Sequence, residues 1–297
     1  MNSFLIKRDP IERESYWAIL GFSRFILASA VFFHHIYQHF ASQNTGYIAS
    51  IARSSGLVSV IAFLLISGYS IASSFSRQQQ GFYRRRFIRV IPLYVLAIIF
   101  SCSIQFIPHL DWQFEYPSMV LSIGNLLLLQ GFLVGSIQTN PVVWTLSIEI
   151  FFYVLTPFFY YLQNQGNIFP VICMSTLLVC TYKVLSRYFF PQMPGFQDLL
   201  FCQGAILLAW SWLLGFYFFF IKSNRHVYYF LVPGILAVSV IYLKDLTGLI
   251  IYLLTCLLLI YGTRLKLAKK IRVVFSRLGD ISYPLYVFIS FSITYYF

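Results

Sequence analysis

Charge is what this chain has least of. Of its 297 residues, 10% are Asp, Glu, Lys or Arg, where a soluble domain averages about 25%. That composition excludes an ordinary water-soluble enzyme. The five cysteines, Cys102, Cys173, Cys180, Cys202 and Cys256, all lie in apolar runs without C-x-x-C spacing. They read as buried structural thiols, with no metal site or disulfide expected. The signatures of nucleotide-binding, serine-hydrolase and zinc-protease chemistry (GxGxxG after a strand, the P-loop, GxSxG, HExxH) are missing. No internal repeat or low-complexity tract interrupts the chain. Its longest polar stretch is the short segment from Met1 to Ser15, so residues 1–297 are expected to form one membrane domain with no soluble domain. The first apolar span is too long for a cleavable signal peptide, and no small-residue cleavage site follows it.

Apolar residues dominate instead, at 59%, with 32 Phe and 22 Tyr bringing the aromatics to 20%. Ten apolar stretches can be marked, at 17–40, 57–75, 88–107, 119–134, 142–162, 168–186, 199–221, 228–243, 247–262 and 279–297. A helix needs about 20 such residues to cross a bilayer. The expected fold is therefore all-α: a polytopic integral membrane protein with about nine to ten transmembrane helices. The aromatic excess suits interfacial belts and lipid-facing packing. The basic excess, 21 against 9 and a net charge of +12, has a topological explanation, because Lys and Arg collect in cytoplasmic loops. Nucleic acid is not an expected partner; the lipid bilayer is.

Basic residues also set the orientation. Lys7, Arg8 and Arg13 precede the first span, which makes the N-terminus cytoplasmic. Arg77, Arg84, Arg85, Arg86 and Arg89 follow two spans later, again on the cytoplasmic side. Six more lie between Arg264 and Arg277. Ten full crossings would put those six outside. Nine crossings, with 119–134 as a re-entrant or partial helix, return them to the cytoplasm, and this is the favoured count. Such an element is tolerated where it is packed in protein or lines a cavity.

Arg24, His35 and Glu149 are ionisable groups set deep within apolar stretches. Placing such groups in a bilayer costs roughly 2.5–3.5 kcal/mol each on insertion scales, so a functional role is the default reading. Arg24 and His35 are eleven residues apart, which puts them on nearly the same helix face and about 16 Å apart along the axis. His39 lies on a nearby face; His34 is turned away from that stripe. The bland reading of these histidines is a helix end bonded to water or headgroups. Glu149 lies four residues from both Thr145 and Tyr153, so the three form one polar stripe. Its bland reading is a structural ion pair, for example with Arg24. In the nine-crossing topology Glu149 is expected roughly level with His35. Arg86 and Arg89, an i,i+3 pair at a helix start, form a fork suited to phosphate oxygens. Ser67-Gly68-Tyr69-Ser70 puts small residues in mid-span, which reads as close helix packing.

In order along the chain these motifs resemble the membrane acyltransferase family 3. Arg24 and His35 look like its first-helix motif. Ser67-Gly68-Tyr69 and Arg86-Phe87-Ile88-Arg89 through Pro92 look like a second block. Trp144-Thr145-Leu146 with Glu149, Phe152, Tyr153 and Pro157 is similar to a third, and Leu278-Gly279 with Ile281-Ser282-Tyr283 and Leu285-Tyr286 to a last. The resemblance implies about ten membrane helices. It also implies transfer of an acyl group, commonly acetyl from acetyl-CoA, to a hydroxyl of a glycan, lipid-linked sugar or related extracytoplasmic acceptor. Two departures stand out. Ile289 occupies a position where family members often carry His, and the chain stops at Phe297 inside the last apolar run, as in a short or truncated member. The extra soluble domain of long members is not present in the sequence.

On this reading acyl-CoA, acetyl-CoA above all, is the donor substrate, with its phosphates on Arg86 and Arg89. His35 is the base for the acceptor hydroxyl, since an imidazole titrates near working pH; a covalent acyl-histidine stays open. Glu149 orients His35 or balances Arg24, and Arg24 supports the site electrostatically. No metal is expected. The expected location is the bacterial inner (plasma) membrane. The rival reading is a transporter or flippase for an anionic or glycan-linked lipid, its path lined by Arg24 and Glu149; the lack of an internal repeat weighs against it.

Overall fold

The computed structural model describes residues 9–40, 47–103, 117–221, 226–243 and 246–288. Ten α-helices run through them: α1 Pro10–Phe40, α2 Tyr47–Arg77, α3 Phe82–Ser103, α4 Met119–Leu126, α5 Trp144–Asn164, α6 Ile168–Tyr188, α7 Gln203–Phe220, α8 His226–Ile241, α9 Leu246–Tyr261 and α10 Lys269–Val287. The segment around Asp111 and Glu115, the side chain of His39, Ile289 and the end of the last apolar run lie outside the described residues.

Among the described residues seven helices are long and apolar enough to cross a membrane: α1, α2, α3, α5 (with the turn before it), α6, α7 and α9 (with the turn after it). The nine to ten crossings expected from the sequence are not reached by this measure. The apolar part of α8 is short, Leu231–Ile241, and α10 carries Lys269, Lys270, Arg272, Arg277 and Asp280. Stretch 119–134 contains only α4, eight residues long. That is about 12 Å of helix, less than half the hydrocarbon thickness.

α2 is the central helix, with 83% of its best apolar window buried, against 28% for α3 and α6. It holds that place because it has glycine where α7 crosses. A Cβ on Gly68 would lie 1.9 Å from the Trp212 carbonyl oxygen, and one on Gly215 1.9 Å from the Leu65 carbonyl oxygen. The two backbones therefore touch, and the Ser211 hydroxyl donates to the Ile61 carbonyl at 2.7 Å across the seam. α1 and α10 meet in the same way, where a Cβ on Gly279 would come within 2.6 Å of the Gly21 Cα. Small residues at such crossings are the usual means of bringing helices together in lipid.

The basic segment 264–277 is not a loop. A short 3-10 turn, Gly262–Arg264, leads toward α10, which begins at Lys269, ten residues before the apolar stretch marked from the sequence. Lys266 pairs with Glu12 at 3.2 Å and Arg272 with Glu14 at 3.3 Å, while the Leu267 N–H donates to Ser15 Oγ. The Arg77 guanidinium, at the end of α2, lies over the Trp17 ring. The start of α1, the end of α2 and the start of α10 thus share one end of the molecule.

After α4 the chain turns through Leu128 and Gly131, both at positive φ. Asn125, fully buried, holds this irregular stretch. Its Nδ2 donates to the Leu121 and Gly135 carbonyls, and its Oδ1 accepts from the Ile137 N–H. The Gln130 Nε2 donates to the Tyr94 hydroxyl and the Val143 carbonyl. Non-helical backbone is tolerable here because protein groups satisfy it.

Candidate functional site

Residues of five helices line a cavity that holds most of the intramembrane charge. α1 contributes Arg24, α2 Ser67 and Ser70, α3 Arg86 and Arg89, α5 Glu149 and Tyr153, and α10 Tyr283. Arg24 Nη2 donates to Ser70 Oγ at 2.5 Å, and Ser70 in turn donates to the Ile66 carbonyl. Glu149 Oε1 accepts from both Ser67 Oγ at 2.6 Å and Tyr153 Oη at 2.5 Å. The Ser67-Gly68-Tyr69-Ser70 run, read from sequence as packing, thus has two roles. Gly68 admits α7, and the serines on either side grip Glu149 and Arg24.

The arginine cluster divides by function. Arg85 donates to the Gln78 and Gln80 carbonyls and closes the α2–α3 turn. Arg86 and Arg89 line the cavity instead, as their spacing suggested. Arg86 Nε is buried without a hydrogen-bond partner. The ion pairs among the described residues are those of Glu12 and Glu14, so Glu149 forms none with Arg24, Arg86 or Arg89. Three guanidinium groups therefore face one cavity with a single carboxylate among them. At an effective dielectric of about 20, two unit charges 4 Å apart interact by roughly 4 kcal/mol. An anion entering this cavity gains that attraction together with planar, charge-assisted hydrogen bonds.

His35 lies elsewhere. With His34 it lines a second, roomier cavity, together with Gly56 of α2, Trp144 of α5, Phe196 and Tyr286 of α10. The expectation that Arg24, His35 and Glu149 converge is corrected here. Arg24 and Glu149 share the arginine cavity, and His35 is eleven residues, about 16 Å, further along α1. Glu149 is bonded to Ser67 and Tyr153 beside the arginine fork and so does not stand level with His35 as its orienting group.

His34 is what the sequence reading passed over. Its Nδ1 lies 2.7 Å from the Ala52 carbonyl; a carbonyl only accepts, so Nδ1 carries the proton. Its ring meets that of His35 edge-on at 5.2 Å. A Cβ on Gly56 would come within 2.5 Å of the His34 ring, so that glycine is the slot in which the ring sits. The periodicity of α1 alone placed His34 off the polar stripe; the space on α2 that receives it is a property of the packing.

A third space, a narrow cleft with little free room, lies between these two. It shares Phe63, Glu149 and Tyr283 with the arginine cavity, and Val60 and Tyr286 with the histidine cavity. The three spaces are stacked end to end, cationic at one end and lined by imidazoles at the other.

The acyltransferase domain family (Acyl_transf_3) matches residues 18–297. The acyltransferase MdmB of Streptomyces mycarofaciens is 32% identical over 157 residues, which are 48% of this chain and 38% of that protein's length. No solved structure matches the chain. With the family's domain extending over nearly its whole length, this chain belongs to the acyltransferase-3 family.

Proposed function

We propose that the protein is a membrane-bound O-acyltransferase that moves an acyl group, acetyl in the first instance, from acyl-CoA to a hydroxyl of a glycan or lipid-linked sugar. The observation that carries this reading is the run of three adjoining spaces, with three guanidinium groups against one carboxylate at one end and two histidines at the other. The donor's phosphates bind Arg24, Arg86 and Arg89, so Arg24 joins the anion site rather than the reacting centre. The pantetheine arm runs along the narrow middle space, and the thioester arrives beside His35. The acceptor oxygen attacks the thioester carbonyl carbon while His35 takes the hydroxyl proton. The C–O bond forms, the C–S bond breaks, and the proton passes from His35 to the leaving sulfur, so CoA departs as the free thiol. A base with a pKa near operating pH suits both halves of that transfer.

Glu149 and Tyr153 form the wall between the donor's charged end and its arm. The carboxylate keeps one negative charge beside three positive ones and limits their mutual repulsion. The proposed location is a bacterial inner (plasma) membrane, with the N-terminus, the α2–α3 turn and the start of α10 on the cytoplasmic side, where acyl-CoA is found.

The test is purified protein in proteoliposomes supplied with acetyl-labelled CoA and a glycolipid extract. Label on the extract supports the reading. Movement of unmodified glycolipid across the bilayer, independent of acetyl-CoA, would replace it with the transporter reading.

A further inference from the structure

Attack on a thioester carbonyl moves a pair of electrons onto its oxygen, and that oxygen needs a hydrogen-bond donor while it carries the charge. His35 does not serve, because it takes the acceptor's proton in the same step. His34 does not serve either, since its Nδ1 proton is engaged by the Ala52 carbonyl. The donor has to stand where the arm's path meets the imidazoles. Among the described residues, two side chains line both the middle space and the histidine cavity, Val60 and Tyr286. Val60 has no polar atom in its side chain; Tyr286 has a hydroxyl.

Packing brings Tyr286 to the face of α1 that carries His35. It shares an apolar cluster with Val31 and Val142, and Val31 is one helical turn from His35. The Tyr286 ring is buried and stacks on Phe63 with ring centroids 5.7 Å apart. Its hydroxyl lies 2.7 Å from Thr145 Oγ1. Thr145 Oγ1 itself donates to the Val142 carbonyl at 3.1 Å, so the phenol is the donor of the pair. Its partner is thus a neutral oxygen that keeps its own bond to Val142 when the phenol turns away. An oxyanion is the stronger acceptor, because charge-assisted hydrogen bonds are roughly twice as strong as neutral ones.

We infer that Tyr286 is a further catalytic residue, its hydroxyl donating to the oxyanion formed during acyl transfer. The inference rests on the acyl-CoA reading above and adds one group to that reaction. As the acceptor oxygen bonds to the carbonyl carbon, the C=O electron pair moves onto the carbonyl oxygen, and the Tyr286 hydroxyl rotates from Thr145 to donate to it. The pair returns to re-form C=O as the C–S bond breaks, and the sulfur leaves with the proton from His35. Tyr286 keeps its own proton throughout and turns back to Thr145.

The experiment compares the wild type, Tyr286→Phe and Thr145→Val in proteoliposomes with saturating acetyl-labelled CoA and the glycolipid extract. Each rate is divided by the amount of CoA the same sample binds, so a partial loss of folded protein does not alter the reading. Tyr286→Phe keeps the ring and its stacking on Phe63 and loses only the donor. Its turnover is expected to fall about 100-fold or more, as on removal of one oxyanion donor elsewhere, with CoA affinity and melting temperature as in the wild type. Thr145→Val breaks the same hydrogen bond from the other side but leaves the phenol its proton, and its turnover is expected to fall by less than about tenfold. A bond that merely ties α10 to α5 is lost equally in both variants. Equal losses therefore overturn the inference. So does a Tyr286→Phe turnover within about tenfold of the wild type, or a loss matched by weaker CoA binding or a lower melting temperature. In each of those cases label on the extract from the wild type leaves the acyl-CoA reading standing. If the wild type puts no label on the extract, that reading fails and takes this inference with it.

Discussion

At the scale of single residues the arginines and the histidine separate cleanly by what each is expected to change. Arg86, with its unpartnered Nε, is proposed to bind the donor. Arg86→Gln is expected to raise KM for acetyl-CoA by about 10- to 100-fold, the loss of one or two charge-assisted hydrogen bonds, with a smaller change in kcat. His35→Ala acts the other way: acetyl transfer should disappear while CoA binding and the folded protein remain, as checked by titration and by size-exclusion profile. Ser67→Ala removes one of two donors to Glu149. Hydrogen bonds to charged groups are worth about 1.5–3 kcal/mol, so a fall in thermal stability measured in detergent is expected. Of these residues, Glu149 and His35 stood out in the sequence as ionisable groups in apolar runs, and Arg86 as one of an i,i+3 pair at a helix start. His34 did not, because its place depends on the missing side chain at Gly56, a residue on another helix.

At the scale of elements, the bundle depends on two glycine crossings and one polar plug. Gly68→Ala puts a methyl group onto the Trp212 carbonyl, and backbone cannot rotate away as a side chain can. Overpacking of this kind costs about 1–3 kcal/mol or more. Loss of folded protein is the expected outcome, seen as a lowered melting temperature in detergent. Gly135→Ala is the matched control, with nothing within 4 Å of the added Cβ, and should be neutral. Asn125→Leu removes the bonds that satisfy the irregular stretch after α4, at about 1–3 kcal/mol for each group left unsatisfied. The helices themselves were readable from apolar run lengths. The brevity of α4 was not, since 119–134 is apolar enough to pass for a span. What holds the chain out of a longer helix is the bonding of Asn125 to Gly135 and Ile137 and of Gln130 to Tyr94 and Val143. The start of α10 was hidden for the opposite reason: its first turns are basic, and charge near a membrane reads as loop.

At the scale of the whole molecule, the two surface ion pairs of Glu12 and Glu14 matter for position rather than stability, since exposed pairs contribute about 0–1 kcal/mol. They place the start of α10 beside the start of α1. Single cysteines at Arg13 and Lys270, in a background without the native thiols, are expected to react with an impermeant thiol reagent from the same face of the membrane. One at Gly195, which lines the histidine cavity, is expected to react from the other. Reaction of Arg13Cys and Lys270Cys from opposite faces would undo the proposed orientation of the donor site.

Composition and run length by themselves determined that this chain is helical and membrane-embedded, and the i,i+3 spacing of Arg86 and Arg89 put them on one side of α3, where both line the same cavity. These are local properties: a helix's periodicity states which way each side chain points around its own axis. It says nothing of how far one helix is displaced along another. That displacement was decided by the contacts of Gly68 with Trp212 and of Gly21 with Gly279. Between α2 and α5 it is seen in the bond from Ser67 to Glu149, which puts the carboxylate in the arginine cavity rather than level with His35.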